Sequence, residues 1–151
     1  MLDLEDPANR RVIDLFAARN ERGKPLEEAA YYPPIGLLST HPDVLEHLWK
    51  ELDARLPEEC SRWVYGVPAL VQEETGVVLA FGWGTAYALR LPPDALRSAL
   101  AAGLSPVMRW SGGSLTDLSV DLGPDWVWGR FRGAEPDWVA AAHRAFGPAG
   151  G

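Results

Sequence analysis

Residues 74–91 read ETGVVLAFGWGTAYALRL, and this stretch decides the fold of the 151-residue chain. Val77 to Phe81 is a continuous apolar run bounded by glycines, which is typical of a strand in the middle of a sheet. Gly76 predicts a tight turn before the run, residues 82–85 predict another after it, and residues 86–91 predict the next strand. Strands joined by such short turns pair antiparallel, so this stretch predicts the centre of an antiparallel sheet.

Patterns on both sides of this stretch predict further strands and four helices. Asp6 and Thr40 are typical caps for the first two helices, and glycines follow the ends of the others. The further strands are predicted at residues 62–65, 69–72, 107–110, 115–122 and 125–132, and the helices at residues 7–22, 41–56, 92–103 and 135–147. We therefore expect an α+β fold, in which one antiparallel sheet of five or six strands is covered on one side by helices.

The chain is expected to form a single domain, because its length suits one core and no low-complexity linker divides it. Residues 40–147 are predicted to be the α+β domain. Residues 1–39 are predicted to be a helical N-terminal extension packed on this main body, and residues 148–151 a frayed tail.

The charge of the chain is concentrated in its first 61 residues. The whole chain has a net charge of −7, whereas residues 1–61 alone contain 13 acidic and seven basic residues. Only Lys24 and Lys50 are lysines, so a nucleic-acid partner and an anionic membrane surface are both disfavoured. The acidic end either attracts a basic protein partner or is a solvated surface that keeps the chain soluble.

The single cysteine, Cys60, cannot form an internal disulfide, which fits a reducing cytoplasm. Acidic residues near Met1 do not fit the basic and then apolar pattern of a secretory signal. No apolar run approaches the roughly 20 residues that span a bilayer. We therefore expect a cytoplasmic protein that has no membrane segment.

Short apolar motifs in the second half of the chain are similar to a known group of small domains. Residues 63–69 read WVYGVPA and residues 87–92 read YALRLP, and a strand and a helix then close the chain. Over residues 62–146 the chain resembles the YjbR/MmcQ-like and TfoX N-terminal-like families of small α+β domains. The resemblance implies a fold and an association with DNA, but the chain lacks the lysines that such a role needs.

No group of residues matches a known catalytic or metal-binding pattern. His41 and His47 are six residues apart, so they lie on different sides of a helix, unlike the four-residue spacing that lets two histidines bind one zinc ion. His143 is distant from both in the sequence. No nucleophile elbow or dinucleotide-binding glycine pattern occurs either, so neither a cofactor nor a metal ion is expected.

The most informative candidate site is on the predicted strand at residues 125–132. Alternation along this strand places two tryptophans and two arginines on one face: Trp126, Trp128, Arg130 and Arg132. Either the indole rings are buried and the arginine stems pack at the sheet margin, or the four side chains form an exposed platform for an anionic or planar ligand or for a protein. The platform could also include Trp83, which lies between two glycines, and Tyr65 and Arg90.

These observations predict a non-catalytic protein that acts by binding, with a basic protein as the expected partner in an immunity-type or regulatory role. A small-ligand pocket, or an enzyme that uses the tryptophan and arginine side chains, is the alternative. Nucleic-acid association is a third possibility.

Overall fold

The computed structural model describes residues 5–18, 27–28, 48, 52, 56, 60–64, 67–83, 86–110, 118–130 and 135–147. A short 3-10 turn, Pro7–Asn9, leads into the first of three α-helices: α1 (Arg10–Ala18), α2 (Pro93–Ala101) and α3 (Glu135–Ala145). The strands are β1 (Glu27–Glu28), β2 (Ser61–Val64), β3 (Val67–Val71), β4 (Val78–Trp83), β5 (Ala86–Arg90), β6 (Met108–Trp110), β7 (Leu118–Val120) and β8 (Trp126–Gly129).

The main sheet has six strands in the order β1-β2-β3-β4-β5-β8. Every neighbouring pair is antiparallel, and β6 and β7 form a separate two-stranded sheet. The two strands predicted within residues 74–91 become β4 and β5, the fourth and fifth strands of this order, and both have a neighbour on each side. The prediction of an α+β fold built on a five- or six-stranded antiparallel sheet is therefore confirmed.

The alternation of side chains along the strands gives the sheet two buried faces. One of them, the helix-pair face, lies against α2 and α3 and consists of Leu70, Leu79, Ala80, Tyr87, Leu89 and Val127. The other, the aromatic face, lies against α1 and consists of Ala69, Val71, Val78, Phe81, Ala88, Trp126 and Trp128. Helix α1 thus covers the side of the sheet opposite to α2 and α3.

A bulge in β4 explains why two successive residues belong to the same face. Leu70 pairs with Ala80, but the next residue, Val71, pairs with Val78, so Leu79 is an extra residue in β4. Such an insertion lets two residues of the bulged strand lie opposite one residue of its neighbour. Leu79 and Ala80 accordingly both pack on the helix-pair face.

The N-terminal segment is attached to the sheet through Asn9. Asp6 caps the first turn as predicted, because its side chain accepts a hydrogen bond from the backbone amide of Ala8 at 2.9 Å. Asn9 is fully buried, donates to the Gly76 carbonyl at 2.8 Å, and accepts from the Val78 amide at 2.8 Å. One side chain therefore joins the start of the chain to the β3–β4 turn, 67 residues away.

Helices α2 and α3, on the helix-pair face, also end or begin at specific residues. Helix α2 ends before Gly103, whose positive φ of 101° suits glycine and is the stop that the sequence predicted. Helix α3 begins at Glu135, which is fully buried and whose carboxylate accepts a hydrogen bond from the Tyr87 hydroxyl. The α3 terminus is therefore fixed to β5, and a carboxylate at a helix N-terminus is stabilised by the helix dipole.

Three features differ from the sequence-based expectations or extend beyond them. Glu27–Glu28 forms an edge strand within the predicted extension, which the sequence did not indicate. The strand predicted over residues 125–132 is observed as Trp126–Gly129; Arg130 follows it, and residues 131 and 132 lie outside the described residues. The helix predicted after Thr40 lies outside the described residues except for Leu48, Leu52 and Leu56, which are buried in the core of the helix-pair face.

Among the described residues, the helices are too short and too polar to cross a membrane.

Candidate functional site

The two tryptophans at the centre of the predicted site are core residues. Trp126 is 3% exposed and Trp128 is 8% exposed, and both pack on the aromatic face. The ring of Trp126 lies 5.6 Å from that of Phe81 at an interplanar angle of 54°. Of the two interpretations of this strand, the structure therefore supports the buried one, and the two rings are not available as an exposed platform.

The burial of these rings has a physical cause in the neighbouring strands. Across the sheet Ala69 pairs with Phe81, Phe81 with Ala88, and Ala88 with Trp128. A small side chain thus lies beside each ring and leaves it room on the aromatic face. Packing of this density is typical of protein interiors, and it fixes the rings in place.

The other predicted site residues do not assemble around the tryptophans. Arg130 follows β8 and is exposed, and its carbonyl oxygen lies 3.1 Å from the Tyr87 hydroxyl. Trp83 is the last residue of β4. Tyr65 and Arg132 lie outside the described residues. The exception is Arg90, the direct ladder partner of Trp126.

Arg90 and Trp126 line a cleft at one end of the sheet. The cleft has a volume of about 160 Å³ and is bounded by Ala8 of the first turn, Arg11 of α1, Arg90 of β5 and residues 122–126. We call it the arginine cleft, because Arg11 and Arg90 supply the positive charges that line it. Gly123 lies in its wall with a φ of 126°, a conformation that favours glycine.

The guanidinium of Arg90 is held between an aromatic ring and a carboxylate. Its central carbon lies 4.3 Å above the ring of Phe146, which is a cation–π geometry. Its Nη2 atom lies 3.5 Å from the carboxylate of Asp125. The Nη1 atom is buried and has no hydrogen-bond partner in the part of the chain that the structure describes.

A second cleft lies beside α1 and is mostly acidic. It has a volume of about 230 Å³ and is lined by Glu5, Asp6, Arg10, Ile13 and Asp14. We call it the acidic cleft. Ile13 is half-buried and contributes an apolar surface between three carboxyl groups and one guanidinium.

The described residues contain no group of three or more histidine, cysteine or acidic side chains that could hold a metal ion. Cys60 and His143 are both buried. His41 and His47 lie outside the described residues. Among the buried acids Glu135 is used to fix α3, so it is a structural residue.

Sequence reasoning did not identify Arg11, Asp121 or Asp125 as site residues. Arg11 lies next to a buried valine in a short helix, and the two aspartates lie in a loop, where solvated acids are common. Only the fold brings them to one end of the sheet. The acidic cleft had a sequence signal, namely the excess of acids in residues 1–61, although the signal did not specify which acids share a surface.

Compared with known proteins, the chain matches no family model, no curated protein and no solved structure. The resemblance to the YjbR/MmcQ-like and TfoX N-terminal-like families therefore stays a prediction.

Proposed function

We propose that the protein is a non-catalytic binding protein of the cytoplasm and that its partner is a basic protein. The observation that carries the proposal is the acidic cleft, which is lined by three acids, Glu5, Asp6 and Asp14, together with Arg10 and the half-buried Ile13. A lysine or arginine side chain has an aliphatic stem for the isoleucine and a charged end for the carboxylates. The cleft therefore suits the insertion of a basic side chain from a partner.

The distribution of charge over the chain supports the same class of partner. Residues 1–61 carry a net charge of −6, and the acidic cleft lies within them. Complementary charge raises the rate of association with a basic partner and disfavours acidic ones. The same charge disfavours nucleic acid, whose phosphates require clustered lysines and arginines.

The test measures the binding of a synthetic oligolysine peptide to the full chain by titration calorimetry. Glu5→Lys combined with Asp14→Lys reverses two charges of the acidic cleft. Glu74→Lys combined with Asp94→Lys reverses two exposed charges elsewhere, and it is the matched control. We expect the cleft variant to bind at least about tenfold more weakly, equivalent to about 1.4 kcal/mol, while the control loses much less.

Salt dependence is the second part of this test. Exposed charge pairs are screened as the Debye length falls from about 10 Å at 0.1 M salt to about 3 Å at 1 M, so the affinity for oligolysine should fall over this range. If the two double variants lost the same affinity for oligolysine, the net charge of the chain, and not the acidic cleft, would explain the binding. Binding that is insensitive to salt would contradict a basic partner.

The alternative function, a small-ligand pocket, is favoured by one specific observation, the arginine cleft. The arginine cleft and the acidic cleft are lined by different residues and by charges of opposite sign. The two functions can therefore be tested separately.

A further inference from the structure

We infer that the arginine cleft is a binding site for a small oxyanion, a phosphate or a carboxylate group. The site is independent of the acidic cleft and of the basic partner proposed above. Its two cationic groups come from separate elements, Arg11 from α1 and Arg90 from the end of β5. The fold alone brings them to one opening.

Arg90 has donor capacity that its described neighbours do not use. A guanidinium has five N–H donors and no acceptor. The side chain of Arg90 is only 12% exposed, and its buried Nη1 atom has no hydrogen-bond partner among the described residues. A buried donor without an acceptor is unfavourable, so native proteins almost always provide one. Arg90 also lines the cleft, so an oxyanion bound there would lie beside this guanidinium.

The ion pairs of the cleft are looser than those elsewhere in the described part of the chain. Arg11–Asp121 and Arg90–Asp125 both measure 3.5 Å between nitrogen and oxygen. Arg62–Glu73 measures 2.5 Å, and Arg97–Asp94 is also a direct hydrogen bond. Hydrogen bonds between charged groups normally lie at about 2.7–2.9 Å, so both carboxylates are held loosely. Arg11 also donates to the Asp121 carbonyl at 3.3 Å, which occupies one of its five N–H groups.

A ligand can compete with Asp121 and Asp125 for the two arginines. Their side chains are 71% exposed for Asp121 and 45% exposed for Asp125, so each can turn toward solvent. The Arg11–Asp121 pair is exposed on both sides, and exposed ion pairs contribute little to stability, so little is lost when an oxyanion replaces it. A phosphate or carboxylate matches the planar fork of a guanidinium with two parallel hydrogen bonds.

The size of the cleft limits the ligand. The cleft has a volume of about 160 Å³. Pockets that enclose drug-sized ligands have volumes of roughly 300–1,000 Å³. The site therefore suits inorganic phosphate, or the carboxylate of a small acid or a peptide, and it is too small to enclose a nucleotide.

The experiment follows the backbone amide signals of Gly123 and Trp126 by NMR during titration of the full chain. The probes are inorganic phosphate and acetate, with sodium chloride at matched ionic strength as the reference. We expect saturable shifts at these two amides below about 10 mM of one probe, which corresponds to a dissociation constant near 1 mM. Saturation by phosphate or by acetate alone supports the site and identifies which of the two groups it prefers.

Variants assign the binding to the two arginines. Arg11→Ala removes a side chain that is 58% exposed, so the fold should persist, and we expect at least about tenfold weaker binding. Arg90→Lys keeps the charge but loses the fork, and it should also weaken binding. Arg97→Ala removes one positive charge outside the cleft and should leave the shifts unchanged. The inference is overturned if neither probe gives saturable shifts, or if Arg11→Ala binds like the unmodified chain.

Discussion

The two faces of the sheet are filled by the same alternation of small and large side chains, but with different residue types. On the helix-pair face the row across four strands is Leu70, Ala80, Leu89 and Val127. On the aromatic face the corresponding row is Ala69, Phe81, Ala88 and Trp128. Both rows are buried, so the two faces do not differ in burial. They differ in the elements that pack on them.

The two faces receive different side chains from the helices. Helices α2 and α3 bring apolar side chains of their own to the helix-pair face, including Ala99, Trp138 and Val139, and aliphatic residues on the strands complete the packing. On the aromatic face, the helical contribution among the described residues is Val12, Ile13 and Leu15 of α1. Phe81, Trp126 and Trp128 on the strands supply the aromatic rings of this face. The two tryptophans of β8 thus lie on the aromatic face, whereas Trp138 reaches the helix-pair face from α3.

The largest expected effect comes from removing a ring on the aromatic face. Trp128→Ala should destabilise the protein by about 3–5 kcal/mol, because it deletes a buried indole and leaves a cavity beside Ala88. Leu89→Ala, the matched change on the helix-pair face, should cost about 2–5 kcal/mol. The free energy of unfolding from urea denaturation measures both.

Trp128→Phe is the control for the tryptophan, since it keeps an aromatic ring and should cost less than the alanine variant. A loss below about 1 kcal/mol for Trp128→Ala would mean that the ring is not part of the core. The exposed platform of tryptophan and arginine would then have to be considered again.

An intermediate effect is expected where α1 is joined to the sheet. Asn9→Ala leaves the Gly76 carbonyl and the Val78 amide without their buried partner and should cost about 1–3 kcal/mol. Hydrogen exchange of the Val78 amide should become faster together with the loss in unfolding free energy. Asn9→Asp retains the acceptor for Val78 but places a carboxylate at a fully buried position opposite the Gly76 carbonyl, so it should destabilise the protein at least as much as Asn9→Ala. Unchanged exchange at Val78 in Asn9→Ala would contradict the attachment.

The smallest effect is expected from an ion pair on the exposed surface of α2. Arg97→Ala breaks the exposed pair between Arg97 and Asp94 on α2 and should change the free energy of unfolding by less than about 1 kcal/mol. The same denaturation experiment measures it. A larger loss would show that this ion pair within α2 contributes to the stability of the helix itself.

The elements whose signals are local could be predicted from the sequence. The hairpin of β4 and β5 follows from an apolar run between glycines, and the cap at Asp6 and the stop at Gly103 follow from single residues. These signals depend on neighbours within a few positions. They identified the class of fold and two interior strands of the sheet correctly.

The features that depend on distant residues could not be predicted in this way. Nothing in Glu27–Glu28 indicates a strand, because its pairing is determined by β2. Alternation in β8 placed the two tryptophans on the same side, but alternation does not say which side of a strand is buried. The arginine cleft is likewise formed by Arg11 and Arg90, 79 positions apart in the sequence.

The row of Ala69, Phe81, Ala88 and Trp128 also determines how this core tolerates sequence change. Because Ala88 lies between the two rings, a larger residue at position 88 would collide with both unless one of them became smaller. The free energies of substitutions at positions 81, 88 and 128 should therefore be non-additive. Related sequences that retain this sheet would be expected to vary at these three positions as a set that conserves their combined volume.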